Sequence, residues 1–210
     1  MYLTATPTLG ANDPAVYSSN DFTAWGKFAN GTGAAPPVVT PGFARAPDGT
    51  QTATRIVFNR GPQNAVPVGA YSIVQAPDIP GTNGQLYTDS VYLKLTPGAA
   101  PVNIDLRSAL PSVTESNKVV TLSDQWQRFS LVTPAIVNGM QQFQLLLWDA
   151  AHLAAKPTSL AADVLAWGFR VDPGSVALGT DYSADAGPSI SPAWVLGGLA
   201  ALALLSGNRR

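Results

Sequence analysis

The sequence has no cysteine, and His152 is the only histidine among its 210 residues. Without cysteine, the chain has no disulfides, thiolate metal ligands or cysteine nucleophiles. A Ser-His-Asp triad would have to use His152, and no nucleophile-elbow pattern accompanies it. Sites that bind a metal through several histidines are excluded by the same count.

Glutamate is almost absent as well, since Glu115 is the only one among the 13 acidic residues. Paired carboxylates could support glycoside hydrolysis. However, several of the aspartates fall in turn sequences, where the side chain caps local backbone; these are Asp13, Asp48, Asp78, Asp124 and Asp172. No ligand spacing specifies a calcium site. We therefore predict no enzyme, no catalytic residue, no metal and no cofactor.

Charge is scarce too. Only 12% of the residues are charged, and the net charge is −1, where about 25% is usual. Nothing in this balance favours nucleic acid as a partner. Either partner subunits cover much of the surface, or uncharged Thr, Ser and Asn residues keep it soluble. Residues 1–7 lack a cationic start and an apolar core, so we expect no export through a signal peptide.

Short segments of alternating polarity dominate the chain between residues 52 and 173. In Leu86–Thr96, for example, Val91, Leu93 and Leu95 share one face, and Tyr92 and Lys94 share the other. Eight or nine such segments, separated by turn residues, predict an all-β antiparallel β-sandwich of the jelly-roll type. We interpret the Pro-rich segment 31–47 as a long loop. Phe22 and Trp25 are expected to be core or sheet-edge anchors.

The stretch Val164–Tyr182 is predicted to contain the last strand of the domain. Leu165, Trp167, Phe169 and Val171 alternate with Val164, Ala166, Gly168 and Arg170, which indicates two distinct faces. The sequence Asp172-Pro173-Gly174 then ends the strand.

This stretch also resembles the closing strand of the carbohydrate-binding-module-like jelly rolls found in phage tail and other virion surface proteins. Three further groups of segments are similar to that family in the same order: 21–25 with 46–50, then 87–94, then 123–129. The resemblance covers roughly residues 20–183 and implies the jelly-roll fold far more than a function.

The two ends of the chain differ from this domain. We predict an extended N-terminal arm over residues 1–20, a jelly-roll domain over 21–183, a linker over 184–192 and a short apolar C-terminal helix over 193–210. The helix would be about 20 Å long, whereas a bilayer core is about 30 Å thick. We therefore interpret this helix as an assembly element, with a membrane anchor as the alternative. Its apolar positions include Trp194, Leu196, Leu199, Leu202 and Leu205.

Exposed aromatic rings are the remaining candidates for a binding site, because a ring can stack on a sugar. The candidates for glycan binding are Tyr92, Tyr87, Tyr71 and Trp126. Tyr92 is expected to be the most exposed, since it lies opposite the Val91/Leu93/Leu95 face. Trp148 is also aromatic, but we expect it to pack in the core.

Our first hypothesis for function is a non-enzymatic structural protein of a phage virion, a head decoration or short fibre. It would form a homotrimer or another homo-oligomer through its arm and helix, and it would contact other virion proteins. The alternatives are a carbohydrate-binding module of a phage tail that recognises a host surface glycan, and a membrane-anchored bacterial surface protein.

Overall fold

The computed structural model describes residues 17–62, 69–109, 115–133, 139–149 and 159–175. Every regular element in these ranges is a β-strand. The strands are β1 (Tyr17–Ser19), β2 (Gly26–Asn30), β3 (Ala35–Ala44), β4 (Ala53–Asn59), β5 (Tyr71–Gln75), β6 (Ile79–Pro80), β7 (Tyr87–Leu95), β8 (Asn103–Ala109), β9 (Glu115–Thr121), β10 (Gln127–Val132), β11 (Met140–Trp148) and β12 (Ala161–Pro173).

The strands pair into two antiparallel sheets. Sheet I has the order β3-β4-β12-β7-β10, with β1 beside β12. Sheet II has the order β2-β5-β11-β8-β9, with β6 beside β11. The inward side chains of both sheets form one apolar core, as expected when two sheets pack face to face. This confirms the predicted all-β antiparallel jelly-roll sandwich.

Aromatic rings connect the two sheets at the centre of this core. Trp25, which precedes β2, packs edge-on against Phe169 of β12 with ring centroids 4.9 Å apart. Phe169 in turn stacks on Phe143 of β11 at 4.7 Å. Phe22 lies 4.7 Å from Trp25, and both are buried. The prediction that Phe22 and Trp25 are anchors of the fold is therefore confirmed.

The predicted loop over residues 31–47 is wrong, because residues 35–44 form strand β3. Proline cannot donate a hydrogen bond to a neighbouring strand, so prolines are tolerated at a sheet edge and at bulges. Strand β3 is the edge strand of sheet I. Its pairing with β4 is irregular between Ala35 and Val38 and between Thr40 and Ala44, which is where all its prolines lie.

The predicted faces of the last strand are also wrong beyond Trp167. A β-bulge interrupts the pairing of β12 with β7 between Trp167 and Arg170, and Gly168 there has a φ of 64°. A bulge adds a residue and so exchanges the faces of the strand. Trp167 consequently points away from the core, while Phe169 points into it.

The domain begins before Asp21, because β1 pairs with β12 from Tyr17 onward. The rest of the predicted arm, the linker and the C-terminal helix lie outside the described residues, as does His152. No helix long and apolar enough to cross a membrane occurs in the ranges given above.

Candidate functional site

A groove of about 430 Å³ lies on the outward face of sheet II. Alternation along the strands turns every second residue away from the core. The residues that line the groove are contributed by four adjacent strands: Phe28 from β2; Tyr71, Ile73 and Gln75 from β5; Gln144, Leu146 and Trp148 from β11; and Arg107 from β8. The floor is thus about 14 Å wide across the strands.

The strand register arranges these side chains in three parallel rows. The first row is polar and contains Gln75, Gln144 and Arg107, which are direct cross-strand partners. The second row contributes the apolar residues Phe28, Ile73 and Leu146 to the groove, and it continues on β8 with the buried Asp105. The third row is aromatic and pairs Tyr71 with Trp148. The groove therefore offers one polar edge and an apolar floor. Phe28 and Tyr71 are the accessible rings of this floor, whereas Ile73, Leu146 and Trp148 are buried in it.

Phe28 is the most exposed ring of this floor, with 49% of its surface accessible. Its ring leans toward the polar row, over Gly26. An added Cβ at Gly26 would lie only 2.7 Å from the Phe28 ring. A side chain at position 26 would therefore push the ring away, and glycine allows the ring to lie low over the sheet.

Hydrogen bonds hold the polar row in place. Arg107 Nη1 donates to Gln144 Oε1 at 3.1 Å. Gln144 Nε2 donates to Gln75 Oε1 at 2.6 Å. The Arg107 guanidinium also lies 5.4 Å from the centroid of the Trp148 ring, a distance at which a cation is attracted to an aromatic face. The row is thus fixed in orientation before any ligand binds.

Of the sequence-predicted glycan residues, the structure brings only Tyr71 into this groove. The expected exposure of Tyr92 is wrong: only 1% of it is accessible, because it packs on the outward face of sheet I against Trp167, Trp126 and Ala46. Tyr87 is buried in the core, and its hydroxyl accepts a hydrogen bond from the Thr82 backbone N–H at 2.9 Å.

Trp126 is half-buried and belongs to the same outward cluster of sheet I, where Lys94 Nζ lies 5.4 Å from its ring centroid. It therefore lies on the opposite sheet from the groove. The predicted assembly residues Trp194, Leu196, Leu199, Leu202 and Leu205 are outside the described residues.

Sequence reasoning missed seven of the eight groove residues as members of one site: Phe28, Ile73, Gln75, Arg107, Gln144, Leu146 and Trp148. A signal existed for β11, because Leu146 and Trp148 alternate in the sequence with Phe143, Leu145 and Leu147. The structure places these two sets on opposite faces of the strand. The position of Phe28 beside Gln75 depends on strand pairing, which alternation alone does not specify.

Four of the buried charged groups form two structural pairs. Arg60 bonds to Asp149 at 3.1 Å, and Arg170 bonds to Asp172 at 2.6 Å. Asp89 on the inward face of β7 is fully buried, and desolvation raises its pKa to about 8, an effect that the Ser108 hydroxyl only partly offsets. Within the described ranges, no group of three or more His, Cys, Asp or Glu side chains could hold a metal.

No family model matches the chain, and no match is found among curated proteins. Solved structures that are similar to it include jelly-roll carbohydrate-binding modules. The first xylan-binding domain of Paenibacillus barcinonensis Xyn10C is 15% identical, with a TM-score of 0.49, and the match covers 77% of this chain and 95% of that one. The family 11 module from Clostridium thermocellum is 9% identical, with a TM-score of 0.45 and coverages of 74% and 92%.

A third similar structure is the enzymatically active domain of bacteriophage CBA120 tailspike protein 4. It is 10% identical, with a TM-score of 0.49, and the match covers 74% of this chain but 20% of that one. Identities and TM-scores this low do not transfer a ligand or an activity to this chain.

Proposed function

We propose that this chain is a non-catalytic carbohydrate-binding protein and that the groove on sheet II holds the glycan. The observation that supports this most strongly is the order of the rows: a low-lying, half-exposed phenylalanine ring beside a row of fixed amide and guanidinium groups. A sugar ring has an apolar C–H face and hydroxyl groups around its rim, so its face fits the apolar floor and its rim fits the polar row.

The shape of the groove favours an oligosaccharide over a single sugar. Four strands contribute to its floor, and three strand spacings amount to about 14 Å, which is longer than one pyranose ring. Ligand sites generally combine apolar walls with a few placed polar groups, and the described lining has this character.

Binding without hydrolysis follows from the same lining. Glycoside hydrolysis requires two carboxyl groups that flank the scissile bond. The side chains that line the groove include no Asp, Glu or His. The groove can therefore hold and orient a sugar, but these side chains supply no acid, base or nucleophile.

The virion location and the homo-oligomeric state remain predictions. They depend chiefly on the arm and the apolar segment, whose residues lie outside the described ranges. A phage particle that displays this domain would use the groove for a host surface glycan, which is the carbohydrate-binding alternative named above.

The test is a glycan-array screen of the full chain, followed by titration of the best ligand. Phe28→Ala should weaken binding roughly tenfold or more, since covering a phenylalanine side chain contributes about 1.5–3 kcal/mol. The matched control is Phe43→Ala. Phe43 has a similar exposure of 42% but lies on β3 of sheet I, so its loss should leave the affinity unchanged. A chain that binds no glycan, or two variants with equal effects, would contradict the proposal.

A further inference from the structure

The hydrogen bonds along the polar row all run in one direction, and Arg107 determines that direction. A guanidinium group can only donate hydrogen bonds. Gln144 must therefore turn its Oε1 toward Arg107, as the 3.1 Å contact shows. Its Nε2 then faces Gln75, which must present Oε1, as the 2.6 Å contact shows. The orientation of both amides thus follows from Arg107.

Because of this orientation, the row presents more hydrogen-bond donors than acceptors to a ligand. Each of the two amide oxygens already accepts one hydrogen bond within the row. The Gln75 Nε2 group has no partner in the described part of the chain, and Gln144 Nε2 keeps a second N–H. The row therefore offers mainly N–H donors, with a permanent positive charge at its Arg107 end.

Building on the proposed function, we propose that the groove selects acidic glycans and that the row formed by Gln75, Gln144 and Arg107 receives the carboxylate of a uronic acid. A carboxylate is an acceptor without a proton to donate, so it matches a row of donors. A hydrogen bond with one charged partner is also about twice as strong as a neutral one.

Other sugar substituents match this row less well. A hydroxyl group donates as well as accepts, and an acetamido group carries an N–H that needs its own acceptor, while each of the two amide oxygens of the row has only one lone pair left. Asp105 is the acidic residue nearest along β8. It belongs to the next row, is fully buried and does not line the groove.

The experiment compares matched ligands on the full chain by calorimetric titration. The probes are oligosaccharides of galacturonate, of alginate and of glucuronoxylan, each beside the same oligosaccharide after its carboxyl groups have been reduced to hydroxymethyl groups. We expect at least one acidic form to bind roughly tenfold or more tightly than its reduced partner, the effect of one charge-assisted contact.

One isosteric substitution tests the row itself. Gln75→Glu keeps the acceptor for Gln144 but replaces the unpartnered N–H donors by a negative oxygen. It should abolish the preference for the acidic form, measured as the ratio of the affinities of the acidic and the reduced oligosaccharide for the variant. The control is Gln125→Glu, which adds the same charge at an exposed position between β9 and β10, away from the groove; it should leave the preference intact.

The outcomes separate the two proposals. Equal binding of acidic and reduced forms, or a preference that survives Gln75→Glu, would overturn the acidic-glycan inference while the groove remains a glycan site. Binding of none of these probes would overturn the inference. If the glycan array were also negative, the proposed function would fail with it.

Discussion

The outward faces of the two sheets both carry aromatic residues, yet only one face is open. On sheet I, Tyr92 and Trp167 lie side by side at 5.6 Å and are buried. The segment 44–52 covers them, with Ala46 packed on the cluster and Thr52 Oγ1 accepting a hydrogen bond from the Trp167 indole at 3.0 Å. On sheet II, Phe28 is half-exposed above the groove floor.

The difference shows that an outward-facing aromatic residue is accessible to a ligand only where no other segment covers it. A turn stabilises the covering segment of sheet I: Asp48 accepts hydrogen bonds from the backbone N–H of Thr50 at 3.0 Å and from its hydroxyl at 2.7 Å. Tyr92 and Trp167 of sheet I consequently stabilise the fold, while Phe28 of sheet II remains accessible.

The largest expected effect is on the covered face. Trp167→Ala removes a fully buried ring and its hydrogen bond to Thr52, so we expect the free energy of unfolding to fall by about 3–5 kcal/mol. Urea unfolding followed by circular dichroism measures this. A decrease in the free energy of unfolding below about 1 kcal/mol would mean that the covering segment does not bury Trp167.

The next prediction concerns Asp89, which lies in the core between the two sheets. Burial raises the pKa of Asp89 to about 8, whereas an unfolded chain has an aspartate pKa of about 3.9. Between these values the folded chain retains a proton that the unfolded chain releases. The free energy of unfolding should therefore fall as pH rises, by up to about 1.4 kcal/mol per pH unit.

Asp89→Asn should remove this dependence, since the amide stays neutral throughout that range. Urea unfolding from about pH 5 to about pH 8 compares the two chains, and the variant should gain stability relative to the wild type as pH rises. Parallel pH curves would contradict the assignment. Glycan affinity should be the same in both chains at a given pH, because Asp89 faces away from the groove.

The smallest expected change in stability concerns the open face. Gly26→Ala places a Cβ where the Phe28 ring now lies, 2.7 Å from it. The ring can swing outward into solvent, so stability should change by less than about 1 kcal/mol. The affinity for glycan should nevertheless fall, because the ring no longer lies low over the sheet. An unchanged affinity would show that the position of this ring is unimportant.

Much of the fold could be predicted because alternation reports which side of a strand is buried. Strand β7 follows from the sequence in this way, and the aromatic residues Phe22 and Trp25 were expected as anchors of the fold. Strand β3 was missed because prolines that usually disrupt a strand lie here at an edge and at its bulges. The faces of β12 were exchanged by the bulge at Gly168, which leaves no mark on the hydrophobic pattern.

The candidate site was less predictable, because it depends on contacts between distant segments. Tyr92 has the sequence pattern of an exposed residue, but the covering segment 44–52 buries it. The Phe28 ring can lie low over the sheet because it extends over Gly26, and the strand register places Gly26 beside Gln75 of the polar row. Neither fact can be derived from the local spacing of residues.

The most direct test of the groove is an NMR titration of the isotope-labelled full chain with the glycan selected by the array. Binding in the groove should shift the side-chain amide signals of Gln75 and Gln144 and the ring signals of Phe28, while the Trp167 indole N–H signal stays in place. Shifts centred on Trp167 and Tyr92, with the two glutamine amides unmoved, would contradict the assignment of the open face of sheet II as the glycan site.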